Sequence, residues 1–168
     1  MRILAIDPAI RKTGFAVIEG DFREPKALCY GTLALPAKLR QSECLAHINE
    51  HIQQLIEQWQ PEELAVEGII YVQSHSTAIA MGAARAASII AAAQAGLKVM
   101  EYPPSCAKLA TVGKGNAKKE QVAFMIRALM QLRETPEPDA ADALAIAYAH
   151  LVAQDPLRAH LFRDRKYI

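Results

Sequence analysis

The chain of 168 residues fits one ordinary domain, long enough to bury a core without a metal or a disulfide to hold it together. Its composition, with 52% hydrophobic and 22% charged residues, is typical of a soluble globular protein, and a net charge of +1 identifies no partner. Three cysteines without metal-ligand spacing argue against a disulfide framework and indicate reduced thiols in a cytoplasmic protein.

Three strands are predicted at the start of the chain. Met1–Ile6 is an apolar run that is too short for a signal peptide and favours a buried strand. Gly14–Ile18 and Ala27–Leu35 predict two more strands joined by hairpin-like turns. Apolar residues then recur at three- and four-residue spacing from Leu45 to Trp59, which predicts a helix that ends before Pro61.

Strands and helices alternate further along the chain. "ELAVEG" at 63–68 predicts a fourth strand, and "LKVMEY" at 97–102 predicts a fifth. Between them, the alanine-rich stretch Ser76–Ala95 contains Arg85 and predicts a packed helix better than it predicts a membrane span. Three helices follow, over residues 106–112, 117–132 and 139–153.

This order of elements predicts an α/β domain with a mixed five-stranded sheet, in which an antiparallel meander continues into parallel strands through helical crossovers. Residues 1–155 form that single domain in this interpretation, and 156–168 form a basic, mobile tail. Six bases face one acid between Lys108 and Arg133, and four face one between Arg158 and Lys166. The fold can therefore present a basic surface.

Four acids are candidates for a common site. Asp7 and Glu67 each end a predicted strand, at the sheet edge where ligands commonly bind. Asp139 and Asp142 lie at i and i+3 on one face of the last helix. If that helix packs over the same edge, the four carboxylates converge and require cations, because like charges repel. Oxygen ligands without His or Cys suit Mg²⁺ or Mn²⁺, and a pair of such ions suits phosphodiester cleavage.

Each acid taken alone has a simpler interpretation. Asp7 can form a turn with the proline that follows it, and Asp139 can cap or begin a helix. Glu67 can be a charge at the rim of the sheet. Asp142 is harder to explain in this way, because it lies one turn into an otherwise apolar helix, where burying an unpaired carboxylate is costly.

Four segments resemble, in order and spacing, the RuvC family of Holliday junction resolvases: "AIDPAIRKTG", "LAVEG", "GNAKKEQV" and "DAADALAIA". The resemblance covers the chain from Ile3 to about Ala149, and the last two segments are more specific than the first. It implies an RNase H-like fold and a homodimer. It also implies nicking of two opposed strands of a four-way DNA junction with Mg²⁺ or Mn²⁺, at two ions per active site.

The resemblance assigns roles to individual residues. It makes the four acids the catalytic metal ligands and aligns Lys108 and Lys119 with lysines near the scissile phosphate, where a cation stabilises the growing charge. A solvated basic face that grips phosphates without chemistry is the alternative for both lysines. The candidates for further DNA contacts are Ile70, Tyr71, Arg85, Lys114 and Lys118.

The chain departs from the family pattern close to two acids. Ala9 stands where the family usually has glycine, which matters only if this position needs a positive φ. Gly68 stands where the family tends to carry glutamine. The aromatic residue that helps open the junction is shifted to Tyr71 or replaced by Ile70, with a core or rim role as the alternative for the tyrosine. Cut-site preference is therefore not inherited from the resemblance.

Two features of the sequence each allow more than one interpretation. The small residues of the 76–95 helix suit close approach of a second copy, as in the family dimer, and equally suit burial against the sheet. Arg85 on this helix suits a DNA contact or an interface contact. The sequence leaves open whether a branch-migration motor complex is a further partner.

Three other functions compete with junction resolution. Another RNase H-like nuclease, acting on branched DNA or RNA–DNA hybrids, would use the same four acids, and only a substrate panel separates it. A nucleotide-binding ATPase of the actin and sugar-kinase type needs two lobes, which 168 residues do not hold. A non-cleaving junction binder is disfavoured by the complete set of acids.

Overall fold

The structure is a computed structural model that describes residues 1–69 and 74–168. Its strands, in chain order, are β1 (Arg2–Asp7), β2 (Lys12–Glu19), β3 (Lys26–Ala34), β4 (Glu63–Glu67), β5 (Lys98–Tyr102) and β6 (Lys166–Tyr167). Within the described residues they form one six-stranded sheet with the order β3-β2-β1-β4-β5-β6. β1, β4 and β5 are parallel, while β2, β3 and β6 pair antiparallel with their neighbours. The predicted mixed sheet is therefore confirmed.

Helices cover both faces of this sheet. They are α1 (Gln41–Trp59), α2 (His75–Gln94), α3 (Pro104–Val112), α4 (Lys119–Leu129) and α5 (Pro138–Gln154). α1 and α2 pack on one face, and α3, α4 and α5 pack on the other, so two hydrophobic clusters form with the sheet between them. The parallel strands are therefore covered on both sides, as such strands require.

β1 is the central element of the core. Its residues from Ile3 to Ile6 are all fully buried. Alternate side chains enter opposite clusters, since Ile3 and Ala5 join one cluster while Leu4 and Ile6 join the other. The continuous apolar run is what a strand buried on both faces needs, and it ends where Asp7 reaches the edge of the sheet.

α5 is buried along most of its length and crosses β1 and β2. It begins with Pro138 at the first helical position and carries Asp139 in its first turn. A proline there loses no helical hydrogen bond, and a carboxylate is favoured by the helix dipole. Pro138 and Asp139 therefore determine the residue at which α5 starts, and the fold places that start close to the end of β1.

α2 is the one described helix that is long and apolar enough to match a membrane span by length and composition. In the fold it packs against α1 and β5. Its Arg85 forms an ion pair with Glu101 of β5, with both side chains about four-fifths buried. The prediction of a packed helix agrees with this placement.

The last residues differ from the predicted mobile tail. A 3₁₀ helix spans Ala159–Phe162, and Phe162 is 1% exposed in the core. The chain then adds β6 to the edge of the sheet, and the Ile168 amide donates to the Val99 carbonyl at 3.1 Å. One buried aromatic residue and a short antiparallel ladder therefore hold the segment on the domain and give the sheet a sixth strand.

Candidate active site

A cavity of about 390 Å³ opens at the C-terminal ends of β1 and β4. Three acids and two bases contribute to its lining: Asp7, Glu67, Asp142, Lys108 and Lys119. The remaining lining is largely apolar and includes Met81, Pro104 and Val122. Charged groups thus face one another in a partly desolvated space.

The sheet brings the first two acids together. β1 and β4 are neighbours in parallel register, with Ile6 opposite Val66, so the next residue on each strand reaches the same edge. Those residues are Asp7 and Glu67, and their carboxyl groups lie within hydrogen-bonding reach of each other. The expectation that two strand ends converge is met in the fold.

A glycine lets α5 approach this edge. Gly14 lies opposite Asp7 in the antiparallel pair of β1 and β2. A Cβ atom added to Gly14 would overlap the backbone carbonyl of Asp139, at 2.6 Å from its carbon. Only a residue without a side chain permits so close a contact, so Gly14 sets the distance between the start of α5 and this edge of the sheet.

The position of Asp139 differs from that of the other three acids. Its backbone packs on Gly14, and its charge is close enough to contribute to raising the pKa of Asp7. The cavity lining contains Asp142 but not Asp139. The fold thus groups Asp7, Glu67 and Asp142 around one space, with Asp139 beside it.

The crowding of carboxyl groups changes their protonation. Burial, followed by the charge of Asp142, raises the pKa of Asp7 to about 6. Burial, followed by the charge of Asp7, raises the pKa of Glu67 to about 8. A carboxyl is displaced upward in this way when desolvation and like charges both penalise its ionised form. The Asp7–Glu67 pair therefore retains a proton near neutral pH unless a cation compensates the charge.

The protein supplies one such cation itself. The Lys119 ammonium group, at the first residue of α4, forms an ion pair with the Asp142 carboxylate. The hydrogen bond to Asp142 raises the pKa of Lys119, so this side chain stays charged. Lys108 of α3 lines the same cavity from another side. Both predicted lysines therefore lie at the acidic site.

The donor chemistry of the cavity fits a divalent metal. Three carboxyl groups supply hard oxygen ligands, and the raised pKa values of Asp7 and Glu67 indicate a deficit of positive charge that such an ion would fill. Across residues 1–69 and 74–168, no three acidic, His or Cys side chains already stand as a preformed ligand set. A metal ion held by these carboxyl groups would compete with Lys119 for the Asp142 carboxylate.

The remaining sequence candidates are placed less directly. Ile70 and Tyr71 lie outside the described residues. Lys114 and Lys118 are exposed in the stretch before α4. Arg85 is engaged with Glu101, and its role as a DNA contact stays a prediction.

The two departures from the family pattern have structural consequences. Ala9 is not among the non-glycine residues with positive φ, so its methyl group costs no backbone strain. Its carbonyl accepts a hydrogen bond from the Thr13 hydroxyl at 2.6 Å, which closes the turn after Asp7. A Cβ atom at Gly68 would lie 3.1 Å from Cγ of Glu101, so glycine leaves room for the Glu101–Arg85 pair.

One buried polar network was not predicted. His150 of α5 is fully buried, with its Nδ1 atom 2.9 Å from the Tyr102 hydroxyl and its Nε2 atom 3.0 Å from Glu63 Oε2. Since Glu63 lies on a strand 87 residues earlier, no local pattern could have linked the two.

Comparison with known proteins gives consistent results. A family model described as "Crossover junction endodeoxyribonuclease RuvC" matches residues 3–150. The protein so named from Akkermansia muciniphila is 64% identical over 168 residues, covering 100% of both chains. That from Halorhodospira halophila is 43% identical over 149 residues, covering 89% of each. The solved structure of Thermus thermophilus RuvC in complex with Holliday junction substrate has a TM-score of 0.88 at 29% identity, covering 100% of this chain and 99% of that one.

Proposed function

This chain belongs to the RuvC family of crossover junction endodeoxyribonucleases, and on that premise we propose that it resolves four-way DNA junctions by paired, symmetric nicks. The family and the RNase H-like fold expected from the sequence are both confirmed, and the chain is accordingly an endonuclease. The observation that carries the proposal is the cavity in which Asp7, Glu67 and Asp142 face two lysines.

Asp7, Glu67 and Asp142 would hold the divalent metal that nucleases of this family use, with Asp139 completing the set that the resemblance assigns. We assign Mg²⁺, with Mn²⁺ as a substitute, because the donor atoms are all carboxylate oxygens. The number of ions, two per site, is what the family resemblance implies. Such ions supply a water nucleophile and stabilise the leaving 3′ oxygen. The protein contributes a largely apolar, partly enclosed cavity in which these charges are weakly screened.

Lys119 and Lys108 stabilise the scissile phosphate. If Asp142 held the metal, the Lys119 ammonium group would be available to a phosphate oxygen in the same cavity. A positive charge held at that point lowers the energy of the transition state, in which the phosphoryl oxygens gain negative charge. Lys108, which lines the same cavity from α3, would contact the same phosphate.

A homodimer is part of the proposal, since two opposed strands must be cut. Ile79 and Ile90 on α2 are 70% and 50% exposed and lie eleven residues apart, which places them on one helical face. Small residues between them permit close approach of a second α2 helix. Sedimentation equilibrium should give a dimer for the wild-type chain and a monomer for Ile79→Glu.

The decisive experiment is cleavage of a mobile synthetic four-way junction beside a duplex and an RNA–DNA hybrid of the same sequence. With Mg²⁺ we expect two symmetric nicks in the junction and neither control cut, and with EDTA no cutting. Ca²⁺ should support binding without turnover, because its looser coordination misplaces the attacking water. Equal cutting of hybrid and junction would instead favour the rival RNase H-like activity.

The role of Lys119 is tested against a neighbouring base. Lys119→Ala should slow single-turnover nicking by about 10- to 100-fold, with a much smaller loss of junction binding. Lys114→Ala, which changes an exposed lysine before α4, should weaken binding modestly and leave nicking of bound junction unchanged. Equal losses in binding and nicking for Lys119→Ala would mark it as a plain phosphate contact.

A further inference from the structure

A second cavity of about 390 Å³ lies beside the acidic one. Gly68 lines both cavities, so the two adjoin at the residue that follows Glu67. The far wall of the second cavity is formed by the chain's last segment, including Arg163, Arg165 and Lys166. We propose that Arg163 and Lys166 bind a backbone phosphate of the junction DNA next to the cleavage site, an inference that rests on the proposed function.

The segment that carries these bases is built into the fold. Phe162 is buried in the core immediately before Arg163. Lys166 lies opposite Glu101 in the backbone register of β5 and β6, and the Arg165 guanidinium donates a hydrogen bond to the Ala153 carbonyl at 2.7 Å. The two exposed bases therefore project from a fixed backbone. A phosphate that binds them pays little entropy for ordering the chain.

The charge balance of this cavity favours an anion. Its lining contains the acids Glu101 and Asp164 as well as three bases. Glu101 is already paired with Arg85, so its carboxylate does not neutralise the wall formed by the last segment. With Arg85 included, four bases face two acids. The resulting positive field attracts a phosphate, while Arg165 is engaged by its backbone contact.

The location also suits a DNA strand. A strand with one phosphate at Asp7 carries further phosphates on either side, spaced by about 3.4 Å of helix rise. A cavity that adjoins the catalytic one is therefore within reach of the same backbone. These bases lie beyond residues 3–150, the part of the chain that the family model matches.

The test compares junction binding by wild type with the double variant Arg163→Gln and Lys166→Gln, in EDTA and at several salt concentrations. Both side chains are exposed, so glutamine keeps the segment folded, and an unchanged Tm verifies this. We expect a roughly 10-fold loss of affinity near physiological salt. The slope of log K against log salt should become shallower by about 1 to 2.

Two further variants keep the result interpretable. Lys26→Ala removes an exposed base on β3, at the opposite edge of the sheet from β6, and should change neither affinity nor slope. The exchange Arg163→Lys with Lys166→Arg keeps both charges and should retain nearly wild-type affinity. A glutamine variant that binds like Lys26→Ala would overturn the inference, and so would an exchange variant as weak as the glutamine one.

The outcomes also separate this inference from the proposed function. If wild type neither binds nor nicks junctions, the proposed function fails. If wild type nicks junctions while the glutamine variant binds with unchanged affinity and salt slope, the proposed function stands and the basic contact is refuted.

Discussion

The two ends of α5 carry polar groups in opposite states. At its start, Asp142 lies near the carboxyl groups of Asp7 and Glu67. Burial and the negative charge of neighbouring carboxylates raise the pKa values of Asp7 and Glu67. Toward its end, buried His150 is satisfied by Glu63 and Tyr102, and the hydrogen bond to His150 lowers the pKa of Glu63. One helix therefore joins a destabilised cluster to a stabilised one.

The start of α5 therefore contributes to the proposed function, and its end contributes to the stability of the fold. Groups whose pKa values are raised by burial and like charge mark sites where a ligand is expected to compensate. A network whose members satisfy one another fixes the helix on the sheet instead. Removing a charge should therefore have opposite effects on stability at the two ends.

The largest effect is expected from Asp7→Asn. The substitution removes a predicted metal ligand. Mutating a residue that only hydrogen-bonds to a metal ligand typically lowers activity about 10- to 100-fold, so loss of the ligand itself should lower the nicking rate by more than about 100-fold. Binding should persist, because phosphate contacts by lysines remain. Single-turnover cleavage and equilibrium binding of one junction measure both. Nicking at the wild-type rate would refute the assignment of the acidic end as catalytic.

Gly14→Ala should disturb the acidic end through the backbone. The added methyl group overlaps the carbonyl of Asp139, so α5 must shift or the strand must move. We expect a loss of about 2–3 kcal/mol in the free energy of unfolding, together with slower nicking. Gly115→Ala is the matched control, because its methyl group would meet Ser105 at an ordinary 3.6 Å. Equal stability of the two variants in urea titrations would contradict the close packing at Gly14.

Glu67→Gln should stabilise the metal-free protein while it slows nicking. The pKa of Glu67 rises from 4.5 to about 8 in the folded chain, which therefore binds more protons than the unfolded chain between these values. Wild-type stability in EDTA should thus fall as pH rises through this window. The variant should gain on the order of 2 kcal/mol at pH 8 and depend less on pH. Urea titrations at several pH values measure this, and a wild-type stability that rises from pH 5 to 8 would be the contrary result.

Glu63→Gln should have the smallest effect and the opposite sign. The pKa of Glu63 is lowered in the folded chain, so its contribution is present above its ordinary value of 4.5 and is lost as pH falls through the lower folded-state value. We expect the variant to lose about 1 kcal/mol at pH 7, and the difference from wild type should shrink in acid. Nicking of bound junction should be unchanged. A variant as stable as wild type at pH 7 would show that the network at the end of α5 adds nothing.

Most strand and helix positions follow from local patterns. The apolar run that ends at Asp7, the apolar run inside "ELAVEG" and the spacing from Leu45 to Trp59 each predicted an element that the fold contains. Helix boundaries moved by a few residues, as at α4, which begins at Lys119 and not at Ala117. Ala117, which was predicted inside the helix, therefore lies before it, and Lys119, the first residue of α4, forms the ion pair with Asp142.

The end of the chain shows where local patterns fail. Lys166–Tyr167 is a two-residue strand with both side chains exposed, and its sequence has no apolar alternation. Pairing with β5 and burial of Phe162, which are contacts between distant parts of the chain, order this segment. Polar composition alone therefore predicted mobility for residues that the fold holds in place.

The sequence by itself determined which acids end the strands and start the last helix, because each apolar run ends where a charged residue stands. Tertiary structure alone decided how closely they meet, through the contact of Gly14 with Asp139, and which base pairs with Asp142. It also decided the partner of His150 and the placement of the basic segment beside Gly68. Burial and charge depend on neighbours that only folding brings together, whereas periodicity is carried by each segment alone.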